Sequence, residues 1–161
     1  MPFELRPYPT PTLRPEGAYL QTAWQNSVYP LAARLGVEIA LPNVSPQPYT
    51  RLAFEGLEFA KEHSAGKKYN SGVMRAFFQR SEDIGNPDVL TRVASDAGLD
   101  AESFKKALEE RTYADRVDGL LRHAREDMQV SGVPLFVIGD VRLSGLQSQR
   151  TLEAAIAQQL R

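Results

Sequence analysis

Residues 130–147 read VSGVPLFVIGDVRLSGLQ and form the most informative stretch of the sequence. Its centre, residues 135–138, is a short apolar run rich in β-branched and aromatic side chains, which predicts a buried strand. Gly139-Asp140 then stands between two apolar residues, a two-residue signal for a tight hairpin. Residues 141–143 alternate apolar and polar, so one side of the second strand is expected to face solvent. Pro134 heads the first strand, where proline is tolerated because that residue need not donate to the ladder.

The composition is that of an ordinary globular domain of 161 residues, with 42% hydrophobic and 24% charged residues. Nineteen basic residues against twenty acidic ones leave a net charge of −1, which does not favour nucleic acid or an anionic membrane as a partner. No apolar run approaches the roughly 20 residues of a membrane span. The N-terminus lacks the basic and apolar segments of a signal peptide, so we expect a cytoplasmic location.

The chain contains no cysteine, which excludes a disulfide, a thiolate nucleophile and a cysteine-based metal site among these residues. The two histidines, His63 and His123, lack the carboxylate spacing of a zinc site. Acidic pairs such as Glu109-Glu110 are adjacent in sequence and therefore diverge on a helix. We accordingly predict no catalytic residue, no metal site and no cofactor within this chain.

Helical periodicity dominates the rest of the sequence. Residues 17–35 predict a helix that Pro30 should kink or break, and Trp24 on its apolar stripe is interpreted as core. Further helical patterns fill residues 51–128, with Asn86 and Asp100 as predicted N-caps, and a last helix follows Ser148. Residues 2–6 alternate weakly and predict a short strand. The side chains expected to face inward from the first and last helices are Leu20, Trp24, Val28, Leu31, Leu35, Leu152, Ala155, Ile156 and Leu160.

The motifs of the chain resemble those of the DsbA-like thiol–disulfide oxidoreductases, and most of all their FrnE-like branch. Gly-Val-Pro-Leu-Phe-Val-Ile at 132–138, the hairpin, Leu-Ser-Gly-Leu-Gln at 143–147 and the final amphipathic helix resemble the C-terminal end of that family. Ala76-Phe77-Phe78 and Asp83-Ile84-Gly85 follow the same pattern in order. Residues 2–7 are similar to the strand that follows the family's first helix, so the resemblance covers essentially the whole chain.

The resemblance implies an α/β, thioredoxin-like (DsbA-like) fold with a helical insertion, mostly helical by content. It implies one domain over residues 1–161: a remnant of the thioredoxin N-terminal half at 1–40, the insertion at 41–129 and the C-terminal β-β-α at 130–161. The family's first strand, Cys-x-x-Cys motif and first helix have no counterpart in the sequence, so we expect an N-terminally truncated fold. An empty slot in the sheet would leave backbone groups unpaired. An upstream segment, a second copy in a homodimer or direct pairing of the flanking strands would each fill it.

The resemblance also implies that Pro134 is cis and that its loop faces the redox site. The backbone of Val133 would then pair with a thiol-containing or extended peptide or a glutathione-like ligand, which makes Gly132, Val133 and Pro134 the predicted substrate-binding residues. The alternative, that Pro134 merely shapes the start of the strand, stays open.

Three functions follow from the resemblance. The first is a DsbA/FrnE-like disulfide oxidoreductase that, without redox cysteines in these residues, is inactive in thiol exchange, because exchange needs an attacking thiolate. The second is a non-catalytic module that binds peptides or dimerises. The third is a relative of the glutathione-dependent isomerases and transferases, of the 2-hydroxychromene-2-carboxylate isomerase or kappa-class type.

Overall fold

A computed structural model describes residues 1–160, which fall into two compact units. We call Arg6–Asp118 the helical unit, and the described part of Met1–Leu5 with Gly119–Arg161 the hairpin unit. None of the described helices is long and apolar enough to cross a membrane. In chain order the elements are α1 Ala18–Ala23, a π-helical turn Trp24–Val28, α2 Tyr29–Leu35, α3 Arg51–Glu62, α4 Gly66–Arg80, α5 Pro87–Asp96, α6 Ala101–Glu109, α7 Ala114–Glu126, β1 Leu135–Ile138, β2 Val141–Ser144 and α8 Gln149–Gln159.

The first helical stretch runs through Pro30 without breaking, because a π-helical turn precedes the proline. A proline in a helix removes one N–H and clashes with the carbonyl four residues earlier, and the wider π turn relieves both conflicts. The π turn also adds one residue, so the apolar stripe shifts after Trp24. Ala32 is buried, whereas Leu31 is only half-buried and Leu35 is 57% exposed. The predicted burial of Leu35 is therefore wrong, while that of Trp24 is confirmed.

Helices α3 to α6 form the core of the helical unit. Tyr69, Leu90 and Phe104 are completely buried there. The helices approach closely at Gly56, where an added Cβ would lie 2.7 Å from the Phe104 ring. The predicted caps of α5 and α6 are confirmed, since Asn86 and Asp100 each accept a backbone N–H from the first turn of the helix that follows.

One buried charge in this core is neutralised by an arginine. Glu55 is 0% exposed on α3, and Arg111 donates two hydrogen bonds to its carboxylate, at 2.8 and 2.6 Å. This bidentate geometry is the strong form of an ion pair. The pKa of the Arg111 guanidinium is raised above its usual value, and the hydrogen bond to Glu55 is the largest cause.

The predicted hairpin is confirmed in the hairpin unit. Strands β1 and β2 pair antiparallel, with Leu135 opposite Ser144 and Ile138 opposite Val141. Gly139 at the turn has φ +56°, a conformation that favours glycine. The prediction that β1 is a buried strand is wrong: three of its residues are half-buried and Val137 is 42% exposed. Within the described residues the sheet has two strands, so β1 is covered less than a central strand would be.

Two further expectations fail in the hairpin unit. Residues 2–6 form no strand within the described sheet; instead the Arg125 guanidinium donates to the Glu4 carbonyl at 3.0 Å and lies 5.9 Å from the centre of the Phe3 ring. On α8, Ala155 is buried, but Ile156 is 48% and Leu160 82% exposed rather than facing inward. A two-stranded sheet offers too little surface to cover the whole apolar stripe of α8.

Candidate functional site

The three predicted substrate-binding residues lie together on the wall of one cavity in the hairpin unit. Gly132, Val133 and Pro134 line a space of about 220 Å³. Its remaining lining residues come from the segment after α7, from the start of β1 and from β2 with the residue that follows it: Gln129, Val130, Ser131, Leu135, Arg142, Ser144 and Gly145.

The chain after α7 is held so that it leads directly into this cavity. The backbone N–H of Met128 donates to His123 at 2.9 Å, and that of Val130 to Ala124 at 2.9 Å, which satisfies carbonyls at the end of the helix. Gln129 between them has φ +47° and turns the chain away from the helix. The Val133–Pro134 peptide bond at the cavity is cis.

Arg142 closes the cavity on the β2 side. Its guanidinium donates to the carbonyl of Met128 and so ties β2 to the segment after α7. On the same side, the backbone N–H of Gly145 donates to the Pro134 carbonyl at 2.9 Å, and the Gln147 side chain donates to the Ser144 carbonyl at 2.8 Å. Sequence reasoning missed Arg142, although its polar position in the alternation of residues 141–143 was a usable signal.

The register of the hairpin determines which backbone groups are available at the site. In an antiparallel pair, the residues whose N–H and C=O bond the partner strand alternate with residues whose groups point the other way. Ile138 and Phe136 face β2 as hydrogen-bonded residues, and the Gly145–Pro134 bond continues that series. Leu135 and Val137 therefore direct their N–H and C=O groups to the opposite edge of β1, next to Val133.

Val133 contributes an exposed side chain to the cavity wall. Its side chain is 53% exposed, and no hydrogen bond to its backbone is found within residues 1–160. Available backbone groups at a strand edge are the feature that extended peptides bind by β-augmentation.

The cavity lining is mostly uncharged. Its lining within the described chain carries one charged side chain, Arg142, beside hydroxyl and amide groups. No group of three His, Cys, Asp or Glu suited to a metal ion is found in residues 1–160. Both histidines lie elsewhere: His63 stacks on Phe59 with ring centres 4.2 Å apart, and His123 pairs with Asp127 at 2.6 Å.

The fold is that of a known protein class. Residues 2–157 match the family model of the DSBA-like thioredoxin domain, and the chain belongs to that family. The predicted family resemblance and the predicted fold class, a DsbA-like thioredoxin fold that is mostly helical, are thereby confirmed.

A curated protein and a solved structure are similar to this chain. Over 158 residues the chain is 51% identical to the uncharacterized protein YwbO of Bacillus subtilis strain 168, with 98% of this chain and 79% of the relative covered. The crystal structure of a probable DsbA oxidoreductase from Streptomyces coelicolor shares the fold, with a TM-score of 0.73 and 24% sequence identity over 88% of this chain. The chain spans 61% of the length of that structure.

Proposed function

We propose that this chain supplies the peptide-binding part of a DsbA-family thiol–disulfide oxidoreductase. The observation that carries the proposal is the cavity at residues 132–134, where the backbone of Val133 has no hydrogen-bond partner within residues 1–160. An extended polypeptide would pair its backbone with that of Val133 at the cavity.

Backbone pairing suits a protein that must accept many sequences. Main-chain hydrogen bonds give affinity without reading side chains, while the neighbouring apolar surface of Val133 and Leu135 adds burial. Arg142 gives the cavity a positive charge that would favour peptides with a nearby carboxylate.

We propose that thiol exchange itself is carried out by residues other than these 161. Exchange begins when a thiolate attacks one sulfur of a disulfide, forms a mixed disulfide and releases the other sulfur as a thiolate. None of the 161 residues is a cysteine, so we propose that this polypeptide alone shows no exchange. Reduction of insulin by this polypeptide would contradict that part of the proposal.

The peptide-binding part is tested by filling the cavity. Gly132 lines the cavity and an added Cβ there meets no atom within 4 Å, so the first carbon of the Gly132→Leu side chain is accommodated at the cavity wall. Gly119, exposed on α7, has the same open surroundings, and Gly119→Leu is therefore the matched control. The probe is an unfolded, carboxymethylated polypeptide, whose blocked thiols cannot exchange.

Binding of this probe, measured by isothermal titration calorimetry, should weaken at least about tenfold in Gly132→Leu, the equivalent of about 1.4 kcal/mol. It should be unchanged in Gly119→Leu. Equal affinities of Gly132→Leu and the parent protein would remove the cavity from the function. Binding of glutathione in preference to the polypeptide would favour the glutathione-dependent alternative instead.

A second candidate is a module that dimerises through β1. It is favoured by the exposed side chains of Val137 and Ile156 and by the unpaired edge of β1 in the hairpin unit. Long unpaired edges with apolar side chains are templates for pairing with another chain. Sedimentation equilibrium separates the two candidates, because a protein that stays monomeric at the concentrations used for peptide binding has no such dimer. The expected cytoplasmic location stays a prediction.

A further inference from the structure

A second cavity, which the proposed function does not use, lies between α4 and α5 in the helical unit. Its volume is about 280 Å³. Its lining combines small apolar residues with cationic side chains: Lys68, Gly72, Arg75, Arg80, Val93, Asp96 and Ala97.

The apolar part of this cavity is formed where the two helices approach closely. An added Cβ at Gly72 would lie 2.7 Å from the Val93 side chain, so glycine brings α4 near α5 at this level. Lys68, Gly72 and Arg75 follow one another at spacings of four and three, which places them on one face of α4. The two cationic side chains therefore flank an apolar floor.

Part of the charge around the cavity is cancelled by neighbouring ion pairs. Arg80 donates to both carboxylate oxygens of Glu82 at 3.2 Å. Arg92 pairs with Glu82 at 2.5 Å and with Asp96 at 3.4 Å. These two arginines and two carboxylates form a network without net charge.

Lys68 and Arg75 remain outside this network. Neither has an ion-pair partner within residues 1–160. They give the cavity a surplus of two positive charges in a chain whose net charge is −1. The surplus is therefore a local property and not a consequence of a generally basic surface.

We infer that this cavity binds the phosphate group of a small molecule between Lys68 and Arg75. A phosphate monoester carries a charge of about −1.5 to −2 near neutral pH, which matches the two unneutralised cations. Arginine and lysine are the usual donors to phosphate oxygens, and the volume accommodates a phosphate with a few carbon atoms over the floor of Gly72, Val93 and Ala97.

Two features oppose an anion here and make the inference testable. Asp96 carries a negative charge on the cavity wall, and the C-terminal end of α5 adds the negative end of the helix dipole. Affinity should therefore depend on both cations and increase when the Asp96 charge is removed.

The test titrates inorganic phosphate and ethyl phosphate into the full chain and follows the backbone amide signals of Gly72 and Ala97 by NMR. Saturable shifts are expected for both probes. Tighter binding of ethyl phosphate than of inorganic phosphate identifies the ligand class as a phosphate monoester, and equal affinity for the two probes identifies it as free phosphate. The absence of a saturable shift at tens of millimolar of either probe overturns the inference.

Charge variants make the assignment specific. Lys68→Gln and Arg75→Gln should each weaken binding about tenfold, the loss of one charge-assisted hydrogen bond. Asp96→Asn should strengthen binding severalfold. Lys67→Gln, at an exposed lysine beside Lys68 that does not line the cavity, should leave the affinity unchanged. A loss in Lys67→Gln equal to that in Lys68→Gln would show general surface attraction and refute a built site. No gain in Asp96→Asn would show that the anion does not lie in the cavity beside Asp96 and would also refute the inference.

Discussion

The two units of this protein bury their apolar residues to very different extents. In the helical unit, Tyr69, Leu90 and Phe104 are wholly enclosed by neighbouring helices. In the hairpin unit, no strand residue is fully buried, and Val137 and Leu160 are 42% and 82% exposed within the described chain. The helical unit therefore buries its own apolar residues, while the hairpin unit exposes apolar surface and a strand edge.

This difference explains why peptide binding is proposed in the hairpin unit. A two-stranded hairpin is at most marginally stable on its own and gains stability from whatever covers it. Open backbone groups and half-buried apolar side chains cost stability in the free protein but are available to a ligand. The weaker core of the hairpin unit therefore suits the recognition of an extended peptide.

The largest expected change in stability comes from truncating a buried phenylalanine, and truncating one phenylalanine in each unit tests the difference in packing. Phe104→Ala removes a ring that is 0% exposed and should lower the free energy of unfolding by about 4 kcal/mol. Phe136→Ala, at a half-buried position of β1, should cost about 1 kcal/mol. Urea denaturation followed by far-ultraviolet circular dichroism measures both. Similar losses in the two variants would mean that the units do not differ in packing as described.

The ion pair between Glu55 and Arg111 tests how well the helical unit excludes water from a buried carboxylate. Arg111→Met leaves the buried carboxylate without its partner and should destabilise the protein by about 3 kcal/mol. Glu55→Met leaves the arginine, whose side chain is 52% exposed, free to be hydrated and should cost much less. The same urea experiment measures both variants. Equal losses would show that the carboxylate is not protected from water.

The smallest expected effect concerns pH. The hydrogen bond from Arg80, with a further one from Arg92, holds the pKa of Glu82 below its usual 4.5. Because the folded-state pKa is lower than the unfolded one, the stabilisation is present above about pH 4.5 and disappears as the pH falls through the folded-state pKa.

Glu82→Gln should therefore narrow the difference in Tm between pH 7 and pH 3 relative to the parent protein. Glu102→Gln, at an exposed glutamate outside the Glu82 ion pairs, serves as the control and should leave that difference unchanged. An unchanged difference in Glu82→Gln would show that this carboxylate does not contribute to acid sensitivity.

The helices and the hairpin were predictable because local periodicity, turn chemistry and capping residues specify them, with Asn86 and Asp100 expected from the sequence as N-caps. The Gly139-Asp140 turn and the Asn86 and Asp100 caps were correctly predicted from a few neighbouring residues. The π-helical turn was not, because proline indicates a conflict in the helix without saying how the helix resolves it. The resulting shift from Leu31 to Ala32 on the buried face could not be inferred from an ideal 3.6-residue period.

The candidate site was predicted in part. Gly132, Val133 and Pro134 came from the family resemblance, and the structure places all three on one cavity. Arg142 was missed because its role depends on where the segment after α7 lies, which is a tertiary feature. The burial of β1 and α8 was overestimated for a related reason. An apolar pattern shows that a face favours burial, but actual burial also requires neighbouring elements that pack against it.

The position of Trp24 has a consequence for spectroscopy. It is the single tryptophan of the sequence, and its ring packs within the helical unit, 5.4 Å from Tyr29 and 6.2 Å from Phe78 between ring centres. Tryptophan emission is therefore a direct optical reporter of packing in that unit. Comparing the emission change on denaturation with amide exchange in β1 and β2 would show whether the two units unfold together or separately.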